Sequence, residues 1–503
     1  MSSMTRLRMT AALAVGAALW CGQALGEAPA APEPKPEPAT ARIQAAVARF
    51  HSAGARVGIV VRRMSDGREV FNQRGNELFE IASNTKLFTT AASLWRLGAD
   101  YEFRTRIIAN GKIDNGVLKG TLVAVGGGDP SLSGRAGGEP MRVPREMAAA
   151  VQRAGITEIA GDLVMDDRLF DRVHRAPGWP VAEGIWWYAA PISALSFNDN
   201  CAEFKVAGGP AVGSPAVVTS QPAATGMRIV NQVTTCSKDQ RNEVEFKRDP
   251  AGGLLVTGRV GVGSSQSETI AVDEPAVYFG AALRAELEKL RVRVRGACRL
   301  AAEGDALTAE ATEVFLYKSR LRDAIMVANR RSQNFYAEQI FKLIGSTRDG
   351  KGSFENGAAV VREFTTAAHL PESAASTCDG CGLSPDNKAT AQAVCALLEV
   401  MYRSKFQEVF YASLATNGEA ETTLRNRMAE KGMAGRIHAK TGTIKSGGIS
   451  ALSGYAQAPD GELYTFSILC NGFKPAAFGE ARALEDAVCY AIVGLQKEAP
   501  KGK

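Results

Sequence analysis

Histidine is scarce, with four residues in 503, and His51, His174, His369 and His438 stand at no spacing that a metal site uses. Past the N-terminal segment no apolar run approaches the about 20 residues that a membrane-crossing helix needs. No internal repeat occurs, so array architectures are excluded. Charge of one sign is also in short supply. Against 53 acidic residues stand 59 basic ones, and the resulting +6 is too mild to argue for a nucleic-acid partner. Such a balance permits weak, peripheral attraction to anionic envelope polymers and otherwise serves solubility. No metal and no cofactor are expected, so any chemistry must come from side chains.

Nine cysteines are present, and Cys21 falls in the N-terminal segment. The remaining eight are an even number, which permits disulfides in an exported chain, but their spacing selects no pairing. Cys378-Asp379-Gly380-Cys381 has redox or zinc-ligand spacing, yet no second such pair and no thioredoxin-like setting accompanies it.

Residues 1–26 carry Arg6 and Arg8, an apolar run from Met9 to Trp20 and a small-residue ending, the pattern of a secretory signal peptide. Residues 27–40 are rich in proline, alanine and acid and predict an extended spacer. The remainder is long enough for about three domains of roughly 150 residues. Val57–Arg63, the turn Ser65-Asp66-Gly67 and Glu69–Gln73 read as a hairpin. Residues 104–304 alternate short β-like runs with glycine-rich turns. Leu484, Val488, Ala491, Ile492 and Leu495 recur at helical spacing and predict a C-terminal helix over a sheet face.

Three short peptides carry the chemistry. Ser83-Asn84-Thr85-Lys86 opens an apolar run that stops at Gly98, so one helical turn sets the Lys86 amine beside the Ser83 hydroxyl. A serine hydroxyl becomes a useful nucleophile only next to a base, and a lysine serves if desolvation or a second cation keeps it neutral. Lys440 is a candidate for that cation. Ser332-Gln333-Asn334 is a polar break between two helix-like runs, placed to present Ser332 for proton transfer and Asn334 for orienting an acyl group. The competing account is an ordinary N-cap serine. Lys440-Thr441-Gly442-Thr443 precedes a hairpin formed by 451–458 and 462–470, so it reads as a strand at a sheet edge. There Lys440, Thr441 and Thr443 would bind a carboxylate while Gly442 permits close backbone approach.

S-x-x-K, S-x-N and K-T-G in this order form the signature of penicillin-binding proteins and class A β-lactamases. The chain resembles the penicillin-binding D-alanyl-D-alanine carboxypeptidases that also act as endopeptidases, the low-molecular-mass class C group. The likeness includes Gly128-Asp129-Pro130-Ser131-Leu132, Ala190–Asn198, Asp379-Gly380 with Gly382-Leu383-Ser384, and Ala451-Leu452-Ser453-Gly454-Tyr455. From Ser83 to Ser332 is 249 positions, too many for one compact helical lobe, whereas Ser332 to Lys440 is 108. The resemblance implies an α+β fold, an α/β sandwich of the transpeptidase type. In it an antiparallel sheet is flanked by helices, and two accessory, mostly-β domains are inserted between the first and second motifs. The expected division is a first catalytic segment over 41–103, the insert over 104–304, a second catalytic segment over 305–497 and a tail over 498–503.

The same resemblance implies a periplasmic or envelope enzyme without cofactor or metal that cleaves peptidoglycan stem peptides and cross-links and is acylated by β-lactams. Ser83, Lys86 and Ser332 are the expected catalytic residues, and Asn334, Lys440, Thr441, Gly442 and Thr443 the substrate-binding ones. Backbone N–H groups of Ser83 and Thr443 would form the oxyanion hole. The chain departs from the family pattern at Ile81, where proline is usual, at Gln333 in place of aspartate and at Cys381 in place of serine. It matches the glycine-threonine-leucine segment of Leu414–Arg427 only through Thr423-Leu424 and Arg427. A serine β-lactamase and a catalytically weak peptidoglycan-binding protein are the alternatives, although no glutamate stands out in the water-activating role that class A lactamases need.

Overall fold

Every position of Ile449–Gln457 except Gln457 is buried, Ser450 and Ser453 included, the mark of a strand covered on both faces. In the computed structural model, which describes residues 38–494 apart from 51, 53, 134–137 and 224, this strand lies inside a six-stranded antiparallel sheet. The order is Ala415–Thr416, Ile437–Ile444, Ile449–Gln457, Leu463–Asn471, Arg56–Arg63 and Glu69–Gln73. Both predicted hairpins are present. The expected signal segment 1–26, residues 27–37 of the spacer and the tail 498–503 lie outside the described residues. Spacer residues 38–40 already belong to the helix Pro38–Arg49, because Ile43 of that helix is buried beneath the sheet.

Alternation along the strands divides the sheet's side chains between two cores. Ile59, Leu452 and Ile468 face Leu484 and Val488 of the C-terminal helix Phe478–Val493. Their neighbours Val60, Ala451 and Leu469 face the other way, toward Leu87 and Phe88 of Thr85–Leu97 and Leu398 of Ala391–Arg403. Further helices complete that side: Leu321–Arg330, Asn334–Asp349 and Phe354–Ala367. Their ends are set locally. Gly350 closes Asn334–Asp349 at φ 84°, and the Ser353 hydroxyl caps Phe354–Ala367 by accepting from the Asn356 N–H at 3.0 Å.

Between Thr85–Leu97 and Leu321–Arg330 the chain builds two further units. The first is a seven-stranded mixed sheet whose central hairpin is Glu102–Asp114 and Val117–Val125, with the helices Arg142–Arg153 and Pro275–Lys289 packed in its core. The second is two three-stranded sheets closing on Phe204, Phe246, Val256 and Ile270. Strand Thr312–Arg320 pairs antiparallel with Glu102–Asp114, so 312–320 belong to this inserted sheet and not to a catalytic segment starting at 305. That pairing spans about two hundred residues and leaves no local trace.

At the centre of the main sheet Ile468 is fully buried. Ile468→Ala should lower the unfolding free energy by about 3 kcal/mol, the usual cost of a cavity at a buried aliphatic site, as read from denaturant titration.

Candidate active site

Ser83 lies in a single 3-10 turn, Ala82–Asn84, that feeds directly into the helix Thr85–Leu97, rather than inside the helix itself. Ala82 is held at φ 44°, a left-handed conformation that costs a non-glycine residue about 1–2 kcal/mol. Several contacts impose it. The Asn84 amide donates to Ser453 Oγ at 3.0 Å, and Ser453 donates to Ser467 Oγ at 2.9 Å, so a buried polar chain ties the turn to two central strands. Gly382, at φ 88°, backs against the same turn so closely that a Cβ there would lie 1.8 Å from the Ala82 carbonyl oxygen.

Lys86 is completely buried, and its Nζ has three oxygen neighbours: Ser83 Oγ at 3.0 Å, Asn334 Oδ1 at 2.7 Å and the Cys381 carbonyl at 2.9 Å. The Asn334 amide orientation is determined, since its Nδ2 donates to the Tyr188 carbonyl at 2.8 Å, an oxygen that can only accept. Two of the three partners of Nζ are therefore obligate acceptors. A neutral amine has two N–H groups and one lone pair, so the lone pair must face Ser83, the one partner able to donate.

Burial is the main cause that lowers the Lys86 pKa, while Cys381, Glu338 and Asp379 oppose the shift. Of the two means expected to keep Lys86 neutral, desolvation or a second cation, burial comes first. Burial first and then the Lys86 charge push Lys440 well below its ordinary value. Lys440, also fully buried, donates to Ser332 Oγ and to the Thr441 carbonyl, each at 2.8 Å.

The second motif is a tight loop between Leu321–Arg330 and Asn334–Asp349. Ser332 sits at φ 56°, and the N-cap is Gln333 instead of Ser332, its side chain accepting from the Phe335 N–H. The Gln333 amide also donates to Asp199 Oδ2 at 2.9 Å. Asp199 is the middle of three consecutive left-handed residues, Asn198-Asp199-Asn200, in the insert. Inserted residues thus hold both Gln333 and Asn334.

The third motif lies on Ile437–Ile444. Its short neighbour Ala415–Thr416 pairs only with Ala439 and His438, which leaves the edge from Lys440 onward open. On that side Ile437 donates its N–H to Asn417 Oδ1 at 2.8 Å, and two-residue alternation aims the N–H groups of Thr441 and Thr443 the same way. Gly442 faces the serine turn. A Cβ at this position would stand 2.7 Å from the Ile81 carbonyl oxygen, so only glycine lets the strand lie against Ser83.

Hydrogen bonds join Ser83, Lys86 and Asn334 into one group and Ser332 and Lys440 into another, and Gly442 brings the Lys440–Thr443 strand against the serine turn. Sequence reasoning missed the support beneath it. Glu338, one helical turn after Asn334, is fully buried and accepts from the Gly380 and Cys381 N–H groups at 2.9 and 2.7 Å. Burial, with Asp379 adding to it, pushes the Glu338 carboxyl up to about 8. Asp379 accepts from Gly382, Ser384 and Asn387 and from Trp179 of the insert, so it sets the loop that supplies the Cys381 carbonyl. Glu338, Asp379 and Cys381 place possible metal-ligand atoms within 4.8 Å of one another, but both carboxylates are already taken up by these N–H donors. The i, i+4 spacing of Asn334 and Glu338 was the available clue. All eight cysteines from Cys201 to Cys489 are free. Arg427 is buried against Glu485 and Asp486 at 2.9 and 2.6 Å, which gives it a structural place behind the Thr443 strand.

The family model described as Peptidase_S13, D-Ala-D-Ala carboxypeptidase 3 (S13) family, matches residues 39–489. The chain belongs to this family. It is 32% identical over 465 residues to a D-alanyl-D-alanine carboxypeptidase of Actinomadura sp. (strain R39), covering 89% of this chain and 83% of the relative. The crystal structure of penicillin binding protein 4 (dacB) from Haemophilus influenzae superposes with a TM-score of 0.78 at 21% identity, over 89% of this chain and 99% of that one. A predatory endopeptidase from Bdellovibrio bacteriovorus, in complex with an immunity protein, shares the fold at a TM-score of 0.51 and 16% identity, over 88% and 93% of the two chains.

Gln333→Asp should keep the helix cap but set a carboxylate against Asp199, costing about 2 kcal/mol of stability by chemical denaturation. Adding Asp199→Asn should restore most of that loss.

Proposed function

We propose that this cleft hydrolyses the D-alanyl-D-alanine amide of peptidoglycan stem peptides, and the equivalent amide of cross-links, through an acyl-Ser83 intermediate. The observation that carries the reading is the Lys86 amine, whose lone pair has Ser83 as its one donor partner. Ser83 passes its proton to Lys86 as Oγ attacks the carbonyl of the penultimate D-alanine. The N–H groups of Ser83 and Thr443 receive the oxyanion, each worth about 3 kcal/mol by analogy with donors in other hydrolases. Asn334 orients the acyl side. Ser332, hydrogen-bonded to Lys440, hands a proton to the departing amine, and Lys440, Thr441 and Thr443 hold the carboxylate of the leaving residue. Water then frees the acyl group.

β-Lactams, whose ring resembles the D-alanyl dipeptide, should be trapped at the acyl stage. Such a substrate lies outside the cytoplasmic membrane, so the reading includes export with residues 1–26 as signal and a periplasmic or envelope location with at most peripheral attachment. Among the described residues no helix is long and apolar enough to cross a membrane. The proposed division of the mature chain is a catalytic domain made of residues from 38 to about 101 and from 321 to 494, with the accessory units between them.

Labelled penicillin tests the assignment. Ser83→Ala should abolish covalent labelling while leaving the circular dichroism spectrum unchanged, and labelling that survives refutes the nucleophile. A long-lived adduct supports the peptidase, whereas rapid turnover of the drug points to a lactamase.

A pH series tests the base. Protonated Lys86 has no lone pair for the serine proton, and its pKa is lowered, so acylation should rise with pH through a midpoint below the ordinary lysine value of 10.5. Lys86→Arg should be slow at every pH, and a wild-type rate that is flat with pH would remove Lys86 from the role of base.

A further inference from the structure

A cavity of about 460 Å³ opens beside the free edge of the Lys440 strand. Thr441, Gly442 and Thr443 form one wall, and Arg425, Arg427 and Arg482 come from the facing loop and the C-terminal helix. Neither Ser83 nor Ser332 lines it, so it is a neighbour of the acylation site and not the site itself. Three arginines oppose one lining carboxylate, Glu485. That carboxylate is fully engaged, by Arg427 at 2.9 Å and by the Ser450 hydroxyl at 2.6 Å.

Arg425 and Arg482 are different. Both are exposed, and among the described residues neither guanidinium has a carboxylate within 4.0 Å. The Arg482 guanidinium lies 5.9 Å from the centre of the Phe478 ring, an apolar support that keeps it over the cavity. Across Thr422 the contrast is clear, since Arg330 is paired with Glu419 and Arg331 with Glu421. Unpaired arginines in a concave polar site favour a planar anion, which they can grip with two parallel N–H donors.

The position of the cavity says which portion of a substrate reaches it. In the acyl-Ser83 reading Asn334 orients the acyl side, whereas Thr441 and Thr443, which wall the cavity, hold the carboxylate of the leaving residue. Any leaving group larger than one amino acid must continue past them. A single D-alanine has one carboxylate, already satisfied by Lys440 and the two threonines, and it fills only a small fraction of the space. A cross-link amine belongs to a second stem peptide that carries further carboxylates.

We propose that the Arg425–Arg482 cavity is an anion-binding subsite for the leaving side of the substrate, taking the carboxylate-bearing peptide released when a cross-link is cut. This rests on the acyl-Ser83 reading above, and it makes cross-link cleavage, more than trimming of a terminal D-alanine, the reaction to which the site is matched.

The test uses the purified full chain and the variants Arg425→Gln, Arg482→Gln and their combination. Three rates are compared: hydrolysis of a cross-linked muropeptide dimer, release of D-alanine from a monomeric pentapeptide muropeptide, and acylation by labelled penicillin. Each substitution should lower kcat/KM for the dimer by about tenfold, the low end for a charge-assisted hydrogen bond, and leave the other two rates unchanged. Arg425→Lys should retain some of the dimer rate, and added salt should depress the dimer rate selectively. Undiminished dimer cleavage in the double variant, or an equal fall in all three rates, overturns the subsite. Penicillin labelling that persists in Ser83→Ala overturns the acylation reading instead, so the two failures are told apart.

Discussion

The site depends on one buried amine. Lys86 is fully buried, and its three neighbours come from three separate regions of the chain: the serine turn, the Asn334 helix and the Cys381 loop. Because two of those neighbours can only accept, hydrogen bonding alone decides where the lone pair of the neutral amine must point. Direction here matters as much as pKa. A lysine of the same basicity with one carbonyl exchanged for a hydroxyl would have a choice of donor, and Ser83 would lose its dedicated base.

Keeping that arrangement requires backbone in unfavourable conformations. Ala82 and Ser332 both take left-handed φ values, and the stretch Asn198-Asp199-Asn200 does so three times in succession. Each is over-determined by neighbours: Ala82 by Gly382 and by the Asn84–Ser453–Ser467 chain, and Ser332 by its bond from Lys440 and by the Gln333 cap that follows. Strain of this kind is stable only where surrounding packing outweighs it, and here it gathers around the reacting groups. The insert takes part directly, through Tyr188 on Asn334, Asp199 on Gln333 and Trp179 on Asp379. The inserted units therefore brace the Ser332–Asn334 loop.

The replacements that set this chain apart from the family pattern have local explanations. Cys381 contributes its backbone carbonyl to Lys86, so exchange of its side chain leaves that contact intact. Gln333 brings a neutral amide to Asp199 where an aspartate would bring a second negative charge. Nothing in the structure explains Ile81 in place of proline. It is buried in the helical core, and its carbonyl faces Gly442.

Much of this was readable from residue order. Ser83 and Lys86 meet because a helical turn has a set pitch, the Lys440 strand and its hairpin follow from alternation along 451–458 and 462–470, and Gly442 is legible as a place of close approach. These are short-range facts, determined by covalent geometry and the periods of helix and strand. Other features were not legible: the pairing of Thr312–Arg320 with Glu102–Asp114, Glu338 and Asp379 beneath the Cys381 loop, the insert's grip on Asn334, and which of desolvation and a second cation leads in lowering the Lys86 pKa. Each of these depends on which remote surfaces exclude water from one another. A sequence determines its local conformations and the inventory of reactive groups, whereas burial, and with it charge state and hydrogen-bond direction, exists only once distant segments have packed.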